Sequence, residues 1–277
     1  MKIIVPFPLD EQGVANRRAQ LPDEVIRAGF EVDFVAVKNA GALGDSYYDA
    51  ILWDMFVFET GLRAEKEGYD AVCIDTVSDS GMYPLRSRLS IPVFGPGQIS
   101  FHLAGVLGHK FSIVTMFEGW IHTYRKTLTE YGLWNKVASI RHIDTRPDVS
   151  ELLEGKEEII FGKLERESRK AIEEDGADVI VLGSTTMHQS YDYLKERLPV
   201  PVINPGLVMY KVCEMFLELG LTHSKHAFPP PEMPKDDEIF ASLAAAPGVS
   251  REAAPTEFDP PLHPDIHRGT SGNQPTI

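Results

Sequence analysis

Two stretches of the sequence repeat one pattern: DAVCIDTVSDSG at residues 70–81 and ADVIVLGSTTMHQS at residues 177–190. Each begins with a short apolar run rich in valine and isoleucine and reaches small hydroxyl residues before a helical pattern begins. A strand that turns into a helix in this way directs free backbone N–H groups and the positive helix end outward, which suits a carboxylate or carbonyl oxygen. The pair predicts one ligand held from two sides, whereas the simpler alternative makes Thr76 and Ser184 ordinary helix caps.

Strands and helices alternate on either side of these turns, with helices expected at residues 23–28 and 46–68 of the first half. The strands are continuous apolar runs, which are typical of parallel sheets covered on both faces. The order of strand, hydroxyl turn, helix and Pro-Val strand occurs twice and ends in IPVFGPG and in VPVINPG. We therefore predict an α/β fold with two pseudo-symmetric, doubly wound parallel-sheet lobes and an active site in the cleft between them.

The predicted boundaries divide the chain into three segments. Residues 1–100 plus 205–227 form the first α/β lobe, and residues 101–204 form the second. The proline-rich residues 228–277 cannot support a packed core, so we expect a tail or an arm that wraps a neighbouring subunit of a homo-oligomer.

Composition excludes several classes of protein. The 277 residues carry a formal net charge of −14, which argues against nucleic acid or an anionic membrane as the partner. No apolar run approaches the roughly 18 residues of a membrane helix, and no cleavable signal pattern is present, so we expect a cytoplasmic protein. Cys73 and Cys213 fall in a predicted strand and a predicted helix, which indicates core residues. No metal, nucleotide or other cofactor is expected, because P-loop, GxGxxG and metal-ligand spacings are absent.

Each hydroxyl turn carries a titratable group shortly after its first hydroxyl: Asp79 follows Thr76 and His188 follows Ser184. If helices begin at these turns, each pair shares one helix face. His188 then qualifies as a general base for Ser184 or for the substrate, because imidazole titrates near neutral pH. The alternative is a partly exposed first-turn residue. Asp79 is a second acid/base candidate, although Thr76-x-x-Asp79 also fits a capping arrangement, which we favour.

Further candidates for substrate contact end strands or belong to the hydroxyl turns: Phe7, Asp75, Val77, Ser78, Thr115, Thr185 and Thr186. Asp75 is also a third acid/base candidate, and the alternative is that the alternation of side chains along the strand turns it toward a helix. One predicted helix is apolar on all sides and holds Tyr47, Tyr48, Trp53, Phe56 and Phe58. This pattern indicates core or a subunit interface more often than a lining for an aromatic substrate.

From residue 1 to about residue 225 the chain resembles the Asp/Glu/hydantoin racemase superfamily, most closely its hydantoin racemase branch. The segments that carry the resemblance are residues 70–81, 108–120, 181–187 and 219–225. In that family two pseudo-symmetric lobes enclose the site, and two cysteines, one from each lobe, act as a cofactor-free acid/base pair.

The two family motifs are matched here without their cysteines. Residues 76–81 stand at the motif Cys-Phe-Gly-Asp-Pro-Gly and residues 183–187 at Gly-Cys-Ala-Gly-Met, so that Thr76 and Ser184 occupy the cysteine positions. An aliphatic hydroxyl does not exchange protons near neutral pH without a strong neighbouring base, so the two-thiol mechanism is not carried over.

The resemblance implies a cofactor-independent racemase or isomerase that acts alpha to a carbonyl or carboxylate of a small hydantoin-like or amino-acid-like molecule. Thr76, Ser184, His188 and Asp79 are the expected catalytic groups. Two alternatives stay open: a lyase or hydrolytic ring-opening enzyme on the same scaffold, and a non-catalytic protein that binds a small acid or cyclic imide.

Overall fold

The structure, a computed structural model, describes residues 1–146 and 157–245. The chain divides into two units, residues 1–233 and residues 234–277. Of the predicted tail, the second unit shows one helix, whose bounds are Asp236–Ala245, while residues 246–277 lie outside the described residues. In the part of the chain that the structure describes, no helix is both long and apolar enough to cross a bilayer.

The first half of the chain forms a parallel sheet with helices on its faces. Its elements are β1 (Lys2–Val5), α1 (Glu11–Arg18), β2 (Asp33–Ala36), α2 (Tyr47–Gly61), β3 (Val72–Ile74), α3 (Met82–Arg88), β4 (Val93–Phe94) and α4 (Pro96–Leu107). The four strands lie in the order β2-β1-β3-β4, and every residue of β1 and β3 is buried. The two central strands are therefore covered on both faces, as their apolar runs predict.

The second half repeats this arrangement. Its elements are β5 (Phe111–Thr115), α5 (Ile121–Glu130), β6 (Val137–His142), α6 (Glu157–Glu173), β7 (Val179–Leu182), α7 (Ser190–Arg197), β8 (Val202–Ile203) and α8 (Pro205–Leu219). The strand order β6-β5-β7-β8 has the same topology as the first sheet. The prediction of two parallel-sheet α/β lobes is confirmed.

The first lobe differs from the sequence-based prediction at α1 and α2. Residues 23–28 form only a single 3₁₀ turn, Asp23–Val25, whereas α1 was not predicted at all. The sequence of α1, EQGVANRR, contains a glycine and few apolar residues, so it lacks the apolar period of an ordinary surface helix. The Asp10 side chain caps it by accepting from the Gly13 N–H. Helix α2 begins after its cap Ser46 as predicted but ends at Gly61.

Two helices begin at prolines that follow short strands. Helix α4 begins at Pro96 and α8 at Pro205, each at the first helical position, where the missing N–H of proline costs no hydrogen bond. Buried Phe101 and Ala104 of α4 belong to the same apolar cluster as strands of the second sheet, so α4 ties the two lobes together.

A segment after α8 fastens to the edge of the first lobe. Thr222 donates to Ser90 O at 2.7 Å, the His223 ring nitrogen Nε2 lies 2.8 Å from Val93 O, and Lys225 donates to Arg86 O at 2.6 Å. These bonds provide donors for backbone carbonyls of and next to α3 and β4, at the edge of the first sheet, where no further strand among the described residues pairs with β4.

Candidate active site

A cavity lies between the two lobes, where the central strands end. The first lobe contributes Phe7, Arg17, Trp53, Asp75, Thr76, Val77 and Ser78, among others. The second lobe contributes Trp120, Tyr124, Ser184, Thr185, Thr186 and His188, among others. Nine of the eleven predicted site residues therefore share one wall, and the two that do not are Asp79 and Thr115.

The first hydroxyl turn does not lead directly into a helix. The Thr76 hydroxyl lies 3.0 Å from Ser78 Oγ, which in turn lies 2.9 Å from Ser80 Oγ. Helix α3 begins only at Met82, after Gly81 in a left-handed conformation with φ of 74°. The expectation that a helix begins at Thr76 is wrong, and this turn instead presents a row of bonded hydroxyls.

Asp79 lies behind the cavity wall and caps α4. Its carboxylate accepts from the N–H groups of Gly97 at 2.8 Å and Gln98 at 2.6 Å and from the Tyr131 hydroxyl at 2.6 Å. Burial raises its pKa to about 6 in spite of these donors. A Cβ at Gly95 would lie 2.2 Å from Asp79 Oδ1, so the capping carboxylate needs a glycine beside it. This geometry favours the structural role for Asp79.

The second hydroxyl turn caps a short helical turn. Ser184 Oγ accepts from the Thr186 N–H at 3.2 Å and lies 2.7 Å from Thr186 Oγ1, at the start of the 3₁₀ turn Thr185–Met187. Ser184 therefore caps the turn, as the simpler alternative predicts, and it also lines the cavity.

His188 lines the cavity, and within the described residues its Nδ1 is the ring nitrogen that makes a hydrogen bond. Its Nδ1 lies 3.2 Å from Thr185 O, and an imidazole that donates there from Nδ1 keeps an unprotonated Nε2. Burial, and next the charge of Arg17, lowers the pKa of the ring below its ordinary value. Within the described residues no hydrogen bond joins His188 to Ser184. The geometry therefore fits a base that works on a ligand directly.

Arg17, which the sequence did not indicate, links the two turns. Its Nε donates to the buried Asp75 carboxylate at 2.9 Å, and its Nη2 donates to Thr185 Oγ1 at 2.7 Å. The Thr185 hydroxyl donates to Asp75 O at 3.1 Å, and Gln20 donates to the Asp75 carboxylate at 3.1 Å. A carboxylate at the end of a buried strand needs a cation nearby. The position of Asp75 in the sequence was therefore the one indication that a basic residue such as Arg17 would pair with it. Asp75 both turns toward a helix and lines the cavity.

A loop at residues 41–45, named here the glycine loop, closes one side of the cavity. The indole N–H of Trp53 donates to Gly41 O at 2.9 Å and that of Trp120 donates to Leu43 O at 2.8 Å. The aromatic residues of α2 lie in different surroundings. Trp53 lines the cavity, Tyr47 and Tyr48 are exposed, and Phe56 and Phe58 pack against the first-lobe core.

Thr115 supports the second turn from below. Its hydroxyl lies 2.9 Å from the Tyr124 hydroxyl, which donates to Gly183 O at 2.5 Å. A Cβ at Gly183 would lie 2.6 Å from Thr115 Cβ, so this close approach requires glycine. Tyr124, rather than Thr115, reaches the cavity wall.

Both cysteines are core residues, as predicted. Cys73 and Cys213 are fully buried and lie outside the cavity wall. A hydrogen bond with Cys213, together with burial, raises the pKa of the Cys73 thiol well above its ordinary value. Of the described residues, Glu118, His142 and Asp144 place possible metal-binding atoms close together, but they lie apart from the cavity wall.

Comparison with known proteins identifies the scaffold. Residues 15–212 match the family model described as Asp/Glu/Hydantoin racemase. The chain belongs to this family. A hydantoin racemase from Pseudomonas sp. (strain NS671) is 32% identical over 226 residues, which cover 81% of this chain and 89% of that protein. A hydantoin racemase from Paenarthrobacter aurescens is 26% identical over 227 residues, covering 81% and 94%.

The solved structures agree with this assignment to the Asp/Glu/hydantoin racemase family. An allantoin racemase from Klebsiella pneumoniae superposes with a TM-score of 0.76 at 27% identity, covering 84% of this chain and 94% of that one. The relatives named here are racemases, which are isomerases, so the chain belongs to a family of isomerase enzymes.

Proposed function

We propose that the chain is a cofactor-independent racemase that moves a proton at the carbon alpha to a carbonyl group of a small cyclic imide of the hydantoin type. One observation carries the proposal: Thr76 of the first lobe and Ser184 and His188 of the second line the same cavity. Hydroxyl and imidazole groups thus approach one ligand from two sides. The hydantoin and allantoin racemases among the relatives support this class of reaction.

The proposed reaction uses His188 as one base. Its Nε2 takes the proton from the alpha carbon as the C–H bond breaks, and the electron pair moves onto the carbonyl oxygen to give an enolate. Hydroxyl and N–H donors of the two turns stabilise that oxygen. A proton delivered through the Thr76 hydroxyl on the opposite side forms the new C–H bond and inverts the centre.

The charges of the cavity wall favour a neutral ring over a free amino acid. Among the described residues of the wall, Arg17 is already paired with Asp75, and the lowered pKa of His188 keeps its ring neutral at pH 7. A free amino acid would bring an ammonium and a carboxylate that each need an unpaired counter-charge. A hydantoin brings only N–H and C=O groups, which the hydroxyls match.

The test is hydrogen exchange in deuterated water with each enantiomer of 5-benzylhydantoin and of allantoin. Ser184→Ala and His188→Ala should each lower the rate of inversion at least about a hundredfold, because each removes a group acting on the reacting atoms. Ser184→Ala should lower exchange at the alpha carbon of both enantiomers, whereas His188→Ala should lower exchange of the enantiomer whose C–H bond faces the second lobe. Their melting temperatures should stay close to that of the unmodified protein. A matched control is His102→Ala, since the exposed His102 ring makes the same kind of backbone bond, to Gln98 O, outside the cavity.

Other results assign other functions. A ring-opened product without exchange at the alpha carbon would identify a hydrolytic enzyme, and calorimetric binding without turnover would identify a binding protein. Exchange of both enantiomers at the normal rate by His188→Ala would move the base to another group of the wall.

A further inference from the structure

The proposed reaction needs a second acid/base group on the first-lobe side of the cavity. Thr76 lines the cavity on that side, but an aliphatic hydroxyl neither gains nor loses a proton near neutral pH by itself. A proton that passes through Thr76 must therefore come from a titratable group connected to it.

The hydroxyl row of the first turn supplies that connection. Thr76 Oγ1 and Ser78 Oγ are 3.0 Å apart, and Ser78 Oγ and Ser80 Oγ are 2.9 Å apart. The row begins in the cavity wall at Thr76 and Ser78 and ends at Ser80, which is buried behind the wall. In each of these pairs either oxygen is able to act as the donor, so the row can reverse its direction.

The row ends beside a carboxyl group. The Asp54 carboxylate of α2 accepts from the Gly81 N–H at 2.9 Å, which places it next to Ser80, and the Ser80 hydroxyl lowers the pKa of the same carboxylate. Asp54 lies outside the cavity wall and is partly exposed, so it is able to exchange protons with water. Burial raises its pKa above its ordinary value, although Gly81, Lys126 and Ser80 act in the opposite direction.

We propose that Thr76, Ser78 and Ser80 form a proton relay and that Asp54, at its far end, is the second acid/base group of the reaction. This inference rests on the proposed function. In one direction the Asp54 carboxyl gives its proton to Ser80, Ser80 gives one to Ser78, Ser78 to Thr76, and Thr76 to the enolate carbon. Each hydroxyl O–H bond that breaks is replaced, so the net change is one proton moved from the Asp54 carboxyl to the carbon, which leaves Asp54 ionised. The reverse sequence removes the proton from the other enantiomer.

The two sides of the cavity then differ in a measurable way. His188 deprotonates the enantiomer whose C–H bond faces the second lobe, and the relay deprotonates the other. Interruption of the relay should abolish inversion in both directions, but it should spare exchange of the enantiomer that faces His188. A general loss of structure around the cavity would instead lower exchange of both enantiomers.

The decisive variant is Ser80→Ala, because it breaks the relay and leaves every side chain of the cavity wall and the Asp54 carboxyl group in place. With enantiomers of 5-benzylhydantoin and allantoin in deuterated water, we expect inversion to fall about a hundredfold. Exchange of the enantiomer that the relay deprotonates should fall by the same factor. Exchange of the enantiomer that His188 deprotonates should stay within about threefold of the rate of the unmodified protein. Asp54→Asn should reproduce this pattern, and Ser80→Thr, which keeps the hydroxyl, should restore inversion. Ser112→Ala is the control, since it removes a buried hydroxyl bonded to Ser139 in the second sheet, away from the wall.

Two results would overturn the relay while leaving the proposed function intact: inversion by Ser80→Ala at the rate of the unmodified protein, or an equal loss of exchange for both enantiomers. If the unmodified protein exchanges neither enantiomer of either compound, the proposed function fails, and the relay fails with it.

Discussion

The buried ion pair between Arg17 and Asp75 joins the two hydroxyl turns at the scale of single side chains. Asp75 is almost fully enclosed, and Arg17 leaves 9% of its side chain exposed. Because Arg17 also bonds to Thr185 of the second lobe, the pair positions both turns at once. Desolvation makes such a pair a weak source of net stability, but loss of one partner leaves a buried charge unpaired.

This pair gives a prediction about unfolding. Arg17→Met should lower the free energy of unfolding by about 3–5 kcal/mol, because it strands the Asp75 carboxylate. The double variant Arg17→Met with Asp75→Asn should lose less than Arg17→Met alone, which a urea denaturation series would measure. The control Arg18→Met removes a neighbouring arginine whose partner Asp23 is exposed, so we expect a loss of at most about 1 kcal/mol. Additive losses in the double variant would show that the two side chains do not stabilise each other.

At the scale of elements, the start of α4 is a tightly packed junction in the first lobe. The first turn of this helix binds Asp79 through the N–H groups of Gly97 and Gln98, and Tyr131 of the second lobe binds the same carboxylate. A Cβ on Gly97 would lie 2.2 Å from Val77 O, a backbone atom that cannot move aside without shifting the first hydroxyl turn.

Two glycines of α4 therefore respond oppositely to the same substitution. Gly97→Ala should destabilise the protein by about 1–3 kcal/mol or more, since it forces backbone apart. Gly105→Ala, where nothing lies within 4 Å of the added Cβ, should stabilise it by roughly 0.5–1 kcal/mol through helix propensity. Thermal unfolding of both variants tests the pair, and a neutral result for Gly97→Ala would mean that the turn relaxes freely.

The elements also show where sequence patterns are informative. Buried parallel strands were predicted well because their side chains face a helix layer on both sides, which selects valine and isoleucine. Helix α1 was missed because its burial depends on polar contacts, above all the Arg17 bonds, rather than on an apolar stripe. Polar partners that meet across the fold leave no periodic trace in the chain.

For the whole molecule, two buried groups give opposite contributions to the pH dependence of folding. Burial raises the pKa of Asp79 from 3.8 to about 6, so its contribution to stability grows as pH falls through 6. Burial, and next Arg86, lowers the pKa of His223 from 6.5 to about 4, so its contribution is complete above pH 6.5 and is lost as pH falls toward 4. The two shifts are of similar size and cover nearly the same interval.

Between pH 7 and pH 5 the two contributions should largely cancel. Asp79→Asn removes one of them, so its melting temperature should fall more steeply than that of the unmodified protein as pH drops from 7 to 5. His223→Asn should show the reverse, with a melting temperature that rises or stays level over that interval. Parallel slopes for the three proteins would contradict this assignment.

Most residues of the cavity wall were predictable because they end strands, and strand ends of parallel sheets meet at one edge. The roles of individual residues were less predictable. Asp79 and Thr115 follow the same local pattern as Thr76, yet both lie behind the wall. Asp54 belongs to α2, more than twenty residues before the first hydroxyl turn. Only the folded chain brings it beside Ser80, where it accepts from the Gly81 N–H.

The glycine loop gives the protein an optical property. Of the three tryptophans in the chain, Trp53 and Trp120 line the cavity and hold the loop, whereas Trp134 is 46% exposed elsewhere. Any molecule that enters the cavity changes the surroundings of two indole rings, so intrinsic fluorescence reports occupancy without a label. Trp134→Phe would remove the background emission. Colourless cyclic imides could then be ranked by titration alone, before a product assay exists for any of them.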